Sequence, residues 1–450
     1  MARAKKETAL TPEERLQAAL VPDWEWPYKP PENWCWTRHN SIMDIVGGAQ
    51  PEKAFFIRES KEGYVQLYQT RDYGENPVPV YIPQKYATKT TDEGDILLAR
   101  YGGSLGKVFR AHKGAYNVAL AKVIILYPEV VDDEFLYLYY YSHFYQDFCI
   151  KAGYGRSAQA GFNKSDLNEL LFPLPPFIEQ QRIVDRIESL FAKLDEAKEK
   201  AQAVVDSFET RKAAILHKAF TGELTAKWRK EHGVGMESWE VRTLDSVCSS
   251  IFDGDHMPPP KAESGIPFLV ISNVNTGHLT FENTRFVPQE YYDTLSDTRK
   301  PQLGDVLYTL VGSFGIPAVV NSKRPFCFQR HMALLRPIDV SPQFLWYILQ
   351  TPEMYDKASS IATGTAQLTV PIKGLRAMTI PRPNIAEQVE IVRILDGFFA
   401  REQSAKEAAE AVLDQINLMK KSILARAFRG ELGTNDPSEE SAVELLKQII

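Results

Sequence analysis

Three short segments of this chain contain residue types that could perform chemistry. The segment LPPF at 174–177 is the nearest match to the Asn/Asp-Pro-Pro-aromatic motif of methyl transfer, but Leu174 stands where an amide or carboxylate would bond the target amine. The segment GGSLGK at 102–107 looks like a phosphate-binding loop, but Val108 follows where Ser or Thr is needed. The segment DGDH at 253–256 could hold a metal ion, although turn chemistry and nucleic-acid contact are the better interpretations. We therefore predict no catalytic residue, no cofactor-binding residue and no metal ligand here.

The composition is that of soluble globular protein. The chain has 450 residues, of which 44% are hydrophobic and 24% charged, with a net charge of −6. That length allows about two to four domains. The four cysteines lie far apart, which predicts reduced thiols rather than disulfides or zinc ligands. No apolar stretch approaches the roughly 20 residues of a membrane span, and the first residues lack the apolar core of a signal peptide, so we expect no membrane association and a cytoplasmic protein.

An internal duplication with a period near 208 residues is the strongest feature of the sequence. The segment ILHKAFTGEL at 215–224 matches ILARAFRGEL at 423–432, PLP at 173–175 matches PRP at 381–383, and EQ at 179–180 matches EQ at 387–388. A period of this length indicates two duplicated domain pairs rather than a solenoid of short units. Each copy has a mixed α/β part, with short apolar runs punctuated by Gly, Pro and Asn, followed by a long helix.

The long helix of each copy has a heptad seam of apolar residues. The seam positions are Ile183, Ile187, Leu190, Leu194, Val204, Phe208, Leu395, Phe398, Val412 and Ile416. Arg211 interrupts the first seam and Glu402 interrupts the second. A single helix from Gln181 to Phe220 would be about 60 Å long at roughly 1.5 Å per residue. The simplest partner for each helix is its own duplicate in an antiparallel pair; a different protein or a second copy of this chain are the alternatives.

The fold class is therefore α+β, with two duplicated mixed α/β domains separated by two long helices that pair as an antiparallel coiled coil with pseudo-two-fold symmetry. We divide the chain into an N-terminal extension (1–29), a first globular domain (30–172), a first helix region (173–232), a second globular domain (233–379), a second helix region (380–432) and a C-terminal tail (433–450).

This alternation, with P-x-P-x-x-x-E-Q at each helix start and I-L-x-x-A-F-x-G-E-L at each helix end, resembles the specificity subunit of type I restriction–modification systems from about residue 30 to 432. The resemblance implies target recognition domains joined by spacer helices. It implies a non-catalytic reader of a bipartite, asymmetric sequence in double-stranded DNA. It also implies two modification subunits carrying S-adenosylmethionine, for adenine-N6 methylation, and two restriction subunits that cleave DNA with ATP and Mg.

Residues that contact DNA are harder to predict, because base reading uses common polar residues on exposed segments. Three segments in each copy qualify: a first loop (50–53 and 253–261), a glycine turn with its flanks (100–110 and 313–324), and a third loop (156–164 and 363–373). The candidates are Lys53, Arg100, Tyr101, Ser104, Lys107, Arg156, Gln159, Lys164, Asp255, His256, Lys261, Asn273, Ser313, Arg324, Thr365, Gln367 and Lys373. An ordinary solvated surface role is an equally good interpretation for each of them.

Charge limits how strongly such a chain could bind nucleic acid alone. Residues 30–172 have 15 Lys and Arg against 17 Asp and Glu, and residues 236–379 have 12 against 14. We therefore expect weak binding by the isolated chain, with affinity arising when partner subunits clamp the duplex. Two other functions stay open: a structural coiled-coil adaptor without sequence reading, and a DNA methyltransferase with its own activity. The missing cofactor and catalytic motifs argue against the second.

Overall fold

A computed structural model describes residues 11–154, 161–254 and 259–450 of the chain. The fold divides into two compact units. The first contains the residues up to Lys200 together with Ala411–Ile450, and the second contains Ala201–Glu410. Both are built from short strands and helices around long helices, which confirms the predicted α+β class.

The described residues of the first unit form ten strands. They are β1 (Cys35–Arg38), β2 (Met43–Gly47), β3 (Tyr64–Tyr68), β4 (Tyr81–Pro83), β5 (Thr90–Thr91), β6 (Ile96–Ala99), β7 (Val108–Arg110), β8 (Gly114–Tyr116), β9 (Leu120–Ile125) and β10 (Leu171–Leu174). They form a sheet of order β2-β9-β6-β7, a smaller sheet β4-β3-β8-β5, and the antiparallel pair β1-β10. The β1-β10 pair closes the globular part, because it joins its first strand to its last.

The second unit repeats this plan, with nine strands among its described residues. They are β11 (Glu240–Thr243), β12 (Cys248–Asp253), β13 (Ile266–Leu269), β14 (Arg285–Val287), β15 (Val306–Thr309), β16 (Pro317–Val319), β17 (Cys327–Phe328), β18 (Met332–Pro337) and β19 (Thr379–Arg382). Their sheets run β12-β18-β15-β16, β14-β13-β17 and β11-β19. Strand β3 pairs parallel with β8 and β13 pairs parallel with β17, so even this unusual pairing recurs. The described residues of the second unit contain no equivalent of β5.

Helices complete both units. They are α1 (Pro12–Ala19), α2 (His39–Ile42), α3 (Asp133–Tyr139), α4 (His143–Tyr154), α5 (Phe177–Asp206), α6 (Phe208–Phe220), α7 (Ala226–His232), α8 (Leu244–Val247), α9 (Gln289–Thr294), α10 (Pro342–Ile348), α11 (Pro352–Ile361), α12 (Ile372–Ala377), α13 (Ile385–Ala427) and α14 (Ala442–Ile449). Within the described residues, no helix is both long and apolar enough to span a bilayer.

The long helices pair in antiparallel fashion within each unit, as predicted. In the first unit, the start of α5 and the end of α13 share a core, and Asp195 of α5 accepts from Lys420 at 2.6 Å. In the second unit, α6 and the start of α13 share a core, and Arg211 pairs with Glu402 at 2.7 Å. The two residues that interrupt the predicted seams are therefore each other's partners.

The first long helix differs from the prediction because it is two helices, α5 and α6, that meet at Ser207. The Ser207 hydroxyl bonds back to the Ala203 carbonyl, and the Arg211 guanidinium bonds to the Ser207 hydroxyl and to the Val204 carbonyl. A side-chain hydroxyl that bonds the preceding turn competes with the helix ladder and bends helices. A polar pair set into the apolar seam thus coincides with the break.

The seam residues differ in burial. Ile183, Ile187, Leu395 and Ile416 are buried, whereas Leu190, Leu194, Val204, Phe208 and Phe398 are half-buried. Val412 is 40% exposed, so the structure places it outside the seam. The buried positions there are Ala409 and Ile416, and the half-buried Leu413 lies between them. The seam residues in this stretch are therefore spaced by four and then three positions, whereas the sequence predicted a spacing of three and then four.

Candidate nucleic-acid interface

The P-x-P-x-x-x-E-Q segment joins each long helix to its globular part through its glutamine. The Gln180 carbonyl oxygen accepts from the Asp132 amide that begins α3 at 2.8 Å, and its amide group donates to the Val130 carbonyl at 2.7 Å. Gln388 accepts equivalently from the Ser341 amide that begins α10, also at 2.8 Å. Buried amides that satisfy backbone groups in this way fix one element against another.

The glutamate of the same segment forms what we call the joint of each unit. In the second unit the carboxylate of Glu387 is fully buried and accepts from Arg229 and Thr225, each at 2.6 Å, and from the Trp239 indole at 2.9 Å. Arg229 and Thr225 follow the I-L-x-x-A-F-x-G-E-L segment of the first copy. The joint therefore ties the end of α6 to the start of α13.

In the first unit the equivalent Glu179 is also fully buried. It accepts from the Trp34 indole at 2.7 Å and from the Asn435 amide at 2.8 Å. Asn435 follows the I-L-x-x-A-F-x-G-E-L segment of the second copy, so the C-terminal tail closes this joint. Burial raises the pKa of the Glu179 carboxyl above its ordinary value.

Two of the three candidate segments of the second unit contact one turn, residues 329–331, which we call its central turn, and the third contacts the glycine turn beside it. The first loop begins at Gly254, where a side chain would lie 2.3 Å from the Phe328 carbonyl oxygen beside this turn. The Leu310 amide, before the glycine turn, donates to the His331 carbonyl at 2.8 Å. The third loop reaches the glycine turn through the Gly312 amide, which donates to the Leu368 carbonyl at 3.0 Å.

The first unit has the same convergence around its central turn, residues 117–119. A side chain at Gly48 would lie 2.0 Å from the Asn117 carbonyl oxygen, and the Arg100 amide donates to the Ala119 carbonyl at 2.9 Å. The part of the third loop that the structure describes, residues 161–164, is held by the Phe162 amide, which donates to the Arg100 carbonyl at 3.2 Å. In each unit the described residues at which the three loops adjoin the larger sheet thus lie at one end of that sheet.

The residues at the two central turns differ although the backbone plan is shared. Arg330 is exposed in the second unit, and its counterpart in the first is Val118, which is 43% exposed. Arg100 of the first unit donates to the Val118 carbonyl at 2.9 Å, whereas its counterpart in the second is the buried Leu310. Each unit therefore has one arginine at its central turn. In the second unit Arg330 lies in the turn itself, and in the first unit Arg100 reaches the turn from the end of β6.

Several predicted residues are exposed and lie on loops or short helices. These are Lys53, Lys107, Lys261, Ser313, Arg324, Thr365, Gln367 and Lys373. Ser313, Thr365 and Gln367 lie on the loops that meet near the second central turn. Lys53, Lys261 and Arg324 flank the smaller sheets instead, where the Arg324 guanidinium lies 4.8 Å from the centre of the Phe281 ring. Ser104 is half-buried in the turn after β6.

Other predicted residues are already engaged within the protein. Lys164 pairs with Asp44 at 2.6 Å, and the Tyr101 hydroxyl donates to the Asn163 side-chain oxygen at 3.1 Å. Asn273 is 3% exposed; its oxygen accepts from the Val270 amide and its amide donates to the Glu282 carbonyl. The side chain of Asn273 therefore supports a loop and does not face solvent.

Four predicted residues lie outside the described part of the chain: Arg156, Gln159, Asp255 and His256. Arg330 is an additional candidate that the sequence patterns did not predict. The signal that could have identified it is its position in the repeat, opposite Val118, where one copy has a cation and the other an aliphatic residue.

Comparisons with known proteins agree with this geometry. A family model described as "Type I restriction modification DNA specificity domain" matches residues 31–205 and 236–413. The chain is 25% identical to the EcoKI specificity subunit of Escherichia coli K12 over 94% of this chain and 96% of that protein. It is 25% identical to the MjaVIII specificity subunit of Methanocaldococcus jannaschii over 89% of this chain and 93% of that protein.

Two solved structures share the fold. The HsdS subunit from Thermoanaerobacter tengcongensis superposes with a TM-score of 0.60 at 21% identity, covering 90% of this chain and 99% of that one. A chain from a type I R-M system, solved to explain complex assembly and conformational transition, superposes with a TM-score of 0.69 at 22% identity, covering 90% of this chain and all of that one.

Proposed function

The chain belongs to the type I restriction modification DNA specificity family, and from this premise we propose that it reads a bipartite, asymmetric DNA sequence on behalf of partner subunits. Each unit reads one half-site through the loops that meet at its central turn. The antiparallel helices set the distance between the half-sites, which are about 34 Å apart for each helical turn of DNA.

The observation that carries this proposal is the contrast between the shared frame and the different side chains at the central turns. Because the arrangement of strands and loops occurs twice, the chain contains two surfaces that can each recognise DNA. Because Arg330 stands where the first unit has Val118, the two readers offer different hydrogen-bond donors to base edges. Different donors favour different bases, so the target is asymmetric.

Catalysis belongs to the partners in this proposal. Two modification subunits supply S-adenosylmethionine and methylate adenine at N6, and two restriction subunits cleave DNA with ATP and Mg. The chain itself supplies sequence recognition. Because neither globular part is net basic, the isolated chain binds DNA weakly at physiological salt, and the partner subunits add the phosphate contacts that strengthen binding.

The test is to co-express the chain with its modification subunit and to sequence the host DNA for N6-methyladenine. We expect a bipartite methylated motif that disappears when this chain is deleted. A stable purified complex that methylates no motif would contradict the proposal and would favour the adaptor function. Methylation by the chain alone would favour an intrinsic methyltransferase.

A further inference from the structure

The N-terminal extension covers the outer edge of β1 in the first unit. Leu20 forms an isolated antiparallel bridge with Thr37, and the Val21 amide donates to the Trp36 carbonyl at 2.9 Å. An edge strand exposes a row of backbone donors and acceptors to any extended segment that can pair with it. Here residues 20 and 21 of the chain pair with this edge, and the Trp36 indole donates to the Tyr28 carbonyl at 3.3 Å.

An aromatic side chain completes this cover. The Tyr28 ring lies 5.0 Å from the Trp36 ring in an edge-to-face contact, and Phe144 lies 5.5 Å from Trp36 on the same surface. The Tyr28 hydroxyl donates to the carbonyl of Phe428 near the end of α13. As a result Trp36 is fully buried.

The equivalent surface of the second unit is uncovered. Trp36 pairs with Pro173 across β1-β10, and its counterpart Val241 pairs with Pro381 across β11-β19. Val241 is 75% exposed. Within the described residues, β11 pairs with β19 alone, so the described chain provides no counterpart of residues 20–28 here.

A cavity of about 220 Å³ lies beside Pro381, the strand partner of Val241, and its lining includes Phe220 and Glu353, the counterparts of Phe428 and Phe144 in the first unit. Its apolar lining includes Phe220, Ile348, Met354 and Pro381. The rim is polar: His217 contacts Glu353 at 2.7 Å, and the Lys357 ammonium donates to the Thr379 carbonyl at 2.7 Å. Glu353 occupies the position of Phe144, so a ring that the first unit supplies itself is missing from the second.

We propose that this surface of the second unit binds an extended segment of another polypeptide by strand addition to β11, with a tyrosine of that segment in the cavity. The chemistry of the occupant follows from the first unit. Its backbone amide donates to the Val241 carbonyl, its apolar residues cover the Val241 side chain, and its tyrosine hydroxyl donates to the Phe220 carbonyl. Main-chain bonds supply affinity in this mode and side-chain pockets supply specificity.

The probe is a fluorescent synthetic peptide with the sequence of residues 18–30, AALVPDWEWPYKP, titrated into the full-length chain. The first site is occupied by the tethered segment, so we expect one saturable site per chain. Val241→Glu should weaken binding at least about tenfold, because it places a charge against the apolar face of the segment. A peptide with phenylalanine in place of tyrosine should bind roughly fivefold more weakly, since it lacks the hydroxyl donor.

The matched control is Leu303→Glu, which adds the same charge at an apolar residue of the second unit that is 58% exposed and does not line the cavity. Binding to this variant should equal binding to the unmodified chain. Absence of saturable binding, or equal weakening by both glutamate variants, would overturn the proposal. Both sites are exposed, so loss of folding is not expected to confuse the result, and circular dichroism of each variant checks this.

Discussion

In the second unit the buried carboxylate of Glu387 meets the guanidinium of Arg229, whereas in the first unit the equivalent Glu179 meets the amide of Asn435. The acceptor and an indole donor, Trp239 in the second unit and Trp34 in the first, are common to both joints, and the remaining donor comes from the segment that follows the opposite long helix. That segment is the inter-copy linker in one unit and the C-terminal tail in the other. The comparison shows that the duplicated motif keeps a buried acceptor and an indole donor but leaves the choice of the other donor open.

Among the variants of the two joints, removal of the buried guanidinium should lower the free energy of unfolding most. Arg229→Ala leaves Glu387 as a buried carboxylate with fewer partners, and we expect a loss of about 3–5 kcal/mol in the free energy of unfolding. Asn435→Ala removes one neutral donor from Glu179 and should cost about 2 kcal/mol. Urea unfolding followed by tryptophan fluorescence measures both. Equal losses would mean that the ion pair adds nothing to the second joint.

A second variant separates charge from packing. The double variant Arg229→Ala with Glu387→Gln also removes the buried negative charge that the single variant leaves without its cation. Part of the lost stability should therefore return. If the double variant were as unstable as the single one, the loss would come from packing of the arginine stem.

Acid should destabilise the first unit more than the second through His39. This residue is fully buried beside Tyr140, and burial lowers the pKa of its imidazole to about 4, whereas its counterpart is the apolar Leu244. The unfolded chain binds a proton near pH 6.5 and the folded chain does not, so stability falls as the pH drops from 6.5 toward 4. Between pH 7 and pH 5 we expect this group to cost about 2 kcal/mol.

The variant His39→Leu, which copies the second unit, tests this. Its unfolding free energy should change less between pH 7 and pH 5 than that of the unmodified chain, by the same margin. Identical pH dependence of the two proteins would show that His39 does not titrate across this range.

The smallest expected effect concerns the polar pair within the helix seam. Arg211 and Glu402 are both partly exposed, so solvent screens their attraction. A double-mutant cycle with Arg211→Leu and Glu402→Leu should give a coupling energy of about 1 kcal/mol. The matched surface pair Lys200 and Glu196 serves as a control and should give a smaller value. A coupling at the seam no larger than the control would mean that the pair is incidental.

The internal repeat made the domain order and the long helices of this molecule predictable. The helix ends, the antiparallel pairing and the two-copy plan follow from matched segments such as ILHKAFTGEL and ILARAFRGEL, because local periodicity and duplicated motifs are properties of the sequence itself. Gly222 and Gly430 behave as expected of helix stops, with φ of 85° and 72° in the left-handed region.

What could not be predicted depends on contacts between distant segments. The break at Ser207 requires Arg211 to turn back along its own helix while it also meets Glu402. The burial of Asn273 depends on a loop that wraps around it, and the exposure of Arg330 depends on which end of a sheet its turn occupies. Polar residues on loops look alike in sequence whether they support a loop or face a ligand.

The most direct test of the central claim, that each unit reads its own half-site, is to exchange the residues at the two central turns and determine the methylated motif. Both side chains are exposed, so Val118→Arg and Arg330→Val should leave the fold intact. We predict that Val118→Arg alters recognition in one half of the motif and Arg330→Val alters the other half, with the spacing unchanged. If both variants altered the same half, or if neither changed the motif, the account of two independent readers would be contradicted.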